Sequence, residues 1–176
     1  GSNIYRSYLV STFVTVTGTF LSLIVTSMVA YVLSLKKVKY ANHIAFFIFV
    51  TMLFSHTGGI MVPWYILTTQ YLNLDNNIWG LILPYTVNAW FMFMMRNFFK
   101  NVPHAIIESA TIDGAGDIKI LYRIVLPLSL PVLATIGLFY SLHYWNDWWL
   151  SLMLIEKREL YPLQYLLRAL VSNLMA

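Results

Sequence analysis

Asn101–Pro131 reads NVPHAIIESATIDGAGDIKILYRIVLPLSLP, and in it charge, glycine and proline concentrate between two strongly apolar segments. Read as a polar elbow between two membrane-crossing helices, it sets the sides of every other segment. Composition demands such a reading. Of the 176 residues 59% are hydrophobic and 10% are charged, and the mean hydropathy is +0.68. A soluble domain carries about 25% charged residues, so this chain cannot cover a water-facing surface and lipid must be much of its solvent. Lipid offers the backbone no hydrogen bonds, so spanning segments must satisfy their own as helices. The expectation is an all-α polytopic membrane protein, with residues 1–176 forming one transmembrane domain and residues 101–127 a cytoplasmic loop. No cysteine is present, which excludes disulfides and thiolate metal sites.

Upstream of the elbow, residues 8–35 run for 28 positions without a charge, where a spanning helix needs about 20. Gly18, Ser22, Thr26 and Ala30 fall four apart and share one helix face, the kind of small-residue stripe on which another helix packs closely. Lining a permeation path is the alternative role for that face. Lys36, Lys37 and Lys39 follow at once, and a short basic loop beside a span reads as cytoplasmic. Attraction to anionic lipid headgroups belongs to the same signal. Residues 41–57 read as a second span, broken by Gly58, Gly59 and Pro63. Residues 63–74, PWYILTTQYLNL, suit a short interfacial helix or loop. Asp75, Asn76 and Asn77 make a turn, and the absence of Lys and Arg over residues 54–78 marks the outer side. The third span is residues 78–98, with Asn88 in its middle, where an amide needs an interhelical partner or a polar substrate. Arg96 and Lys100 end it on the basic side. The fourth span is residues 128–155, followed by an outer loop leading to another helix. Gly1-Ser2 resembles a protease scar, and an apolar stretch is still building at Ala176, so the chain reads as a piece of a longer protein.

Within the elbow, Asn101 and Pro103 suit a helix start, and a short helix is expected over residues 104–113. Gly114 supplies the left-handed residue that ends it. Asp117 can cap a second short helix, with Lys119 and Arg123 toward its end. Pro127 and Pro131 then bend the chain as it re-enters the membrane. Ile106, Ile107, Ala110 and Ile112 need cover, from a groove on a partner or from the chain's own bilayer.

Chemistry is sparse. His43, His56, His104 and His143 are scattered, no nucleophile–base pair is visible, and there is no G-x-x-x-x-G-K-[ST] phosphate loop. The chain reads as a non-catalytic one. Asp147, in HYWNDWW, is the notable single residue, since a charge at the bilayer centre costs about 2.5–3.5 kcal/mol. Tyr140, Trp145, Asn146 and Asp147 offer aromatic faces with amide and carboxylate groups. They could meet a sugar or form a helix–helix network.

Glu108-Ser109-Ala110, then Gly114, Ile124, Leu126 and Pro127, stand at the spacing E-A-A, three residues, G, nine residues, I, one residue, L-P. This resembles the EAA loop of ABC importer permeases, with Ser109 replacing alanine as the one departure. Gly80–Pro84 (GLILP) and Trp145-Asn146-Asp147 resemble the carbohydrate-uptake subfamily related to the maltose system's smaller membrane subunit. Gly58-Gly59 with Pro63, and Leu160–Gln164 (LYPLQ), look closest to its complex-oligosaccharide branch. Members have six spans, so the resemblance implies that two are absent here. It further implies a bacterial or archaeal inner-membrane location and import of a sugar or oligosaccharide. A docking surface for a cytoplasmic ATPase dimer would include Glu108, Ser109, Ala110, Asp113, Gly114, Ile124, Leu126 and Pro127. ATP and Mg would be bound by that partner and no cofactor by this chain. Asn88, Tyr140, Trp145, Asn146 and Asp147 become substrate-path candidates. A second permease subunit, an extracytoplasmic solute-binding protein and membrane lipid are the other implied partners, with no nucleic acid and no metal. A permease for a polyol or phosphodiester and a non-transporting membrane scaffold remain the alternatives.

Overall fold

A computed structural model describes the backbone of residues 2–55 and 61–175 and the side chains of residues 4–53 and 61–172. His56, Gly58 and Gly59 lie outside the described residues. Every regular element described is helical. The order is α1 (Ser2–Ser34), α2 (Ala41–Ser55), α3 (Met61–Ile66), α4 (Ala89–Lys100), α5 (His104–Ile112), α6 (Asp117–Ile120), α7 (Leu126–Leu128), α8 (Leu130–Asn146), α9 (Trp149–Leu154) and α10 (Leu163–Met175). Contacts cluster into two compact units. The first comprises residues 1–22, 57–86 and 139–176, and the second residues 23–56 and 87–138.

Among the described residues, α1 alone is a single helix long and apolar enough to cross a membrane, through Ile4–Ser34. The third and fourth spans are not single helices. Residues before α4 form tight turns over Ile78–Leu81 and Leu83–Tyr85, and the chain bends by 49° into α4. Pro84 has no N–H for a continuing ladder. Asn88 then starts a new helix: its side-chain oxygen accepts from the amides of Trp90 (2.9 Å) and Phe91 (3.3 Å). Asn88 thus sits at the break inside the third span rather than within a continuous helix. The fourth span likewise ends as α8 at Asn146 and resumes as α9. Counting each bent pair as one span gives up to three segments long and apolar enough to cross among the described residues, with α2 a shorter apolar helix over Ala41–Leu53.

In the first unit, α1 presents the expected small-residue face. Gly18 is buried, and Ser22 is fully so. A Cβ on Gly18 would lie 2.7–2.8 Å from the Tyr144 ring, so only glycine admits that ring. The Tyr144 hydroxyl donates to the Ile82 carbonyl at 2.9 Å and lies 2.9 Å from the Ser22 hydroxyl. Its single proton is committed to Ile82, so Ser22 is the donor of the second bond. Gly80 is required by a close approach of another kind, since a Cβ there would stand 2.4 Å from the Leu74 carbonyl oxygen. The turn at Asn76 uses a positive φ of 51°, and its side-chain oxygen accepts from the amides of Glu156 (2.7 Å) and Lys157 (3.1 Å). Asparagine suits both tasks, tolerating the left-handed region and capping locally.

In the second unit, Arg96 of α4 carries the junction between α1 and α2. Its Nε donates to the Leu33 carbonyl at 2.9 Å and its Nη2 to Asn42 Oδ1 at 2.8 Å. Thr26 and Ala30 continue the buried face of α1 here.

Candidate functional site

The elbow takes the expected helix–Gly–helix form. α5 spans His104–Ile112, with Pro103 rather than Asn101 at its N-cap position; Asn101 instead closes α4. At the far end Gly114 has φ +78°, its N–H donates to Thr111 O (3.0 Å), and the Ala115 N–H donates to Ala110 O (2.9 Å). Those two bonds together form a Schellman cap. No atom would meet a Cβ on Gly114, so its requirement is purely conformational within this chain.

The second elbow helix is longer than the sequence suggests. It runs over Asp117–Leu128 as one helix and then turns 86° into α8. Gly116, not Asp117, is its N-cap. Asp117 occupies the first helical position, where the helix dipole favours an anion, and its carboxylate accepts from Lys37 Nζ at 2.6 and 2.8 Å. The helix survives Pro127 because it widens first. Over Leu121–Val125 it forms a π-turn, with the Leu126 N–H reaching back to Leu121 O. The wider turn relieves the collision between a proline ring and the carbonyl four residues earlier. The bend comes at Ser129, between Pro127 and Pro131. Pro131 has no N–H to donate to the Pro127 carbonyl, so the ladder is interrupted there.

The motif residues spread along both arms. Glu108 is exposed, and its carboxylate makes no hydrogen bond or ion pair with any described residue. The Ser109 hydroxyl donates to the Ala105 carbonyl at 2.8 Å, so the extra oxygen relative to alanine is satisfied within the helix. Ala110 is half-buried, Asp113 closes α5 and is exposed, Ile124 and Leu126 are half-buried, and Pro127 is exposed. Ile112 is 86% exposed and Ile118 69%.

The path candidates do not form one constellation. Asp147 lies at the α8–α9 break: its Oδ1 accepts from the Tyr85 hydroxyl at 3.0 Å and its Oδ2 from the Leu150 N–H at 3.3 Å. His143 stands edge-on to Tyr85, with ring centroids 4.2 Å apart. Tyr140 is fully buried and stacked beside Tyr144, with centroids 6.5 Å apart. Trp145 is half-buried and meets Tyr8 edge-to-face. Asn146 is exposed, and its amide donates to Leu142 O at 2.8 Å. The carboxylate is thus held in a protein network that starts α9 and anchors Tyr85.

Residues 6–167 match the family of binding-protein-dependent transport system inner membrane components. This chain belongs to that family. Its residues are 44% identical over 168 positions to the polygalacturonan/rhamnogalacturonan transport system permease protein YtcP of Bacillus subtilis, covering 96% of this chain and 57% of that one. The diacetylchitobiose uptake system permease protein NgcG of Streptomyces coelicolor is 30% identical over 174 residues, covering 98% of this chain and 57% of that protein. Among solved structures, a bacterial ABC transporter involved in the import of the acidic polysaccharide alginate superposes with a TM-score of 0.92. The identity is 32%, and the match covers 99% of this chain and 61% of that one. The chain therefore spans about three-fifths of the proteins it matches. It is an inner membrane component with the helical core of ABC importer permeases.

Sequence reading of this family member passed over Tyr144, Tyr85 and Arg96 as site-building residues. Tyr144 stood in an aromatic-rich helix with nothing to distinguish it, and its role comes from a hydroxyl 122 residues away. A usable signal existed for Gly18, whose place on a small-residue face marks a close approach.

Proposed function

We propose that this chain is part of the transmembrane subunit of an ATP-driven importer of a sugar or oligosaccharide, and that the elbow docks a cytoplasmic ATPase. The observation that carries the docking reading is the exposure of α5 and α6. Ile112 and Ile118 stand out from the chain at 86% and 69% exposure, beside a Glu108 that has no partner among the described residues. Helices with such anchors lodge in grooves on a partner. The elbow also lies on the side that the basic residues mark as cytoplasmic, where an ATPase is found. Glu108 would contribute charge-assisted hydrogen bonds to it, Ile112 would fill its groove, and Gly114 sets the angle between the arms. ATP and Mg belong to that partner. A second permease subunit completes the pathway, and an extracytoplasmic binding protein delivers substrate. Saccharide as cargo is supported by the names of the relatives, polygalacturonan, rhamnogalacturonan, diacetylchitobiose and alginate systems among them.

Affinity purification of the full-length subunit from its native membranes tests the reading. The wild type retains an ATPase subunit. Ile112→Asp and Gly114→Pro lose it while the subunit still inserts. Normal retention in both variants would overturn docking through the elbow. Stimulation of ATP hydrolysis by a panel of sugar-loaded binding proteins then identifies the cargo, and a response to polyol-loaded or phosphodiester-loaded proteins alone would remove the saccharide assignment.

A further inference from the structure

In the second unit a groove of about 520 Å³ opens between the last turn of α4 and the first turn of α8, lined by Met94, Asn97, Phe98, Lys100, Asn101 and Val132. We infer that this groove binds the headgroup and adjoining acyl chain of an anionic phospholipid of the cytoplasmic leaflet. Its lining divides in two. Met94, Phe98 and Val132 supply apolar surface, with Val132 only 8% exposed. Asn97, Lys100 and Asn101 are exposed and polar. None of these three side chains has a hydrogen bond or ion pair with a described residue. That sets Lys100 apart from Lys37, whose ammonium is taken by Asp117, and from Arg96, whose guanidinium is taken by Leu33 and Asn42.

Three features favour a phosphate in this place. An ammonium and two amides offer donors, and phosphodiester oxygens can only accept. Val132 belongs to the first turn of α8, whose helix dipole is positive at that end and adds to the attraction. Lys100 is also the last residue of α4, on the side that the basic residues mark as cytoplasmic. A phospholipid presents its parts in that same order, acyl chain and then phosphate. Basic pockets between spans on the cytoplasmic side are suited to such headgroups, and the volume lies within the range of about 300–1,000 Å³ common for small-ligand sites.

The test reconstitutes the assembled importer into vesicles of phosphatidylcholine mixed with phosphatidylglycerol and reads retained lipid by native mass spectrometry. The readout is independent of transport. Phosphatidylglycerol is expected to be retained over phosphatidylcholine, and Lys100→Glu to lower its occupancy by more than about fivefold, the size of one lysine–headgroup attraction. Lys100→Arg keeps it, and so does Arg158→Glu, a change at an exposed cation far from the elbow in sequence. If Lys100→Glu fails to assemble, Lys100→Gln, which removes that one attraction, is expected to lower occupancy roughly fivefold. Equal retention of the two lipids, or unchanged retention in the Lys100 variants, overturns the site. A cysteine at Asn97, introduced into a chain that has no other, overturns it as well if it cross-links to a polypeptide segment instead of remaining accessible to a lipid-soluble reagent.

Discussion

The two units hold themselves together by different means. The first is a buried network: Tyr144 fits the notch at Gly18, its hydroxyl joins Ser22 to Ile82, and Tyr85 links Asp147 to the turn before α4. The second carries its conspicuous residues outside. Its elbow exposes Ile112 and Ile118, and its ion pair, Lys37 with Asp117, is 60% and 51% exposed at the side chains. Buried polar networks specify one arrangement because any member left unpaired is costly. An exposed elbow with a conformational hinge at Gly114 is suited to being completed by something else. The contrast teaches which unit should fail by unfolding and which by losing a partner.

Four substitutions sharpen that contrast. Tyr144→Ala should be the most damaging to stability, at about 3–5 kcal/mol for an aromatic removed from a packed interior, read as a fall in the thermal midpoint in detergent. A loss below about 1 kcal/mol would show that the notch is not a keystone. Tyr85→Phe leaves Asp147 Oδ1 without its donor and should cost about 1.5–3 kcal/mol, since the acceptor is a carboxylate. The same scan checks it, and hydrogen exchange should place the loss at α9. Gly114→Ala forces a Cβ into the left-handed region and should cost about 1–2 kcal/mol. The effect should be confined to α5 and α6 in hydrogen exchange, with the first unit's protection unchanged. Lys37→Ala should cost at most about 1 kcal/mol, as exposed pairs do, and the difference from wild type should shrink at high salt. Equal sensitivity of both units to any one of these changes would erase the distinction between them.

Local features were legible because their causes are local. Gly114 as a helix terminator and the start of α5 follow from a few neighbouring residues, and charge placement set the sides. Fixed motif spacing led to the family, which the comparisons bear out. The longer second elbow helix was not legible, because Pro127 signals a stop unless the ladder widens ahead of it, as it does over Leu121–Val125. The helix breaks at Asn88 and Asp147 were not legible for a related reason. A hydropathy window cannot see a break of two residues, and both side chains spend their oxygens starting the next helix.

By itself, then, the sequence determined that the protein is helical and lives in a membrane, where its basic side lies, and that an elbow with a left-handed glycine interrupts the spans. Those conclusions rest on composition, period and backbone sterics, which act over a few residues. Tertiary structure alone decided that Tyr140 is fully buried beside Tyr144, that Tyr144 and Arg96 organise their units, and that Lys100 faces a groove without a counter-charge. A side chain's partner depends on which distant segment folds against it, and neither spacing nor propensity records that choice.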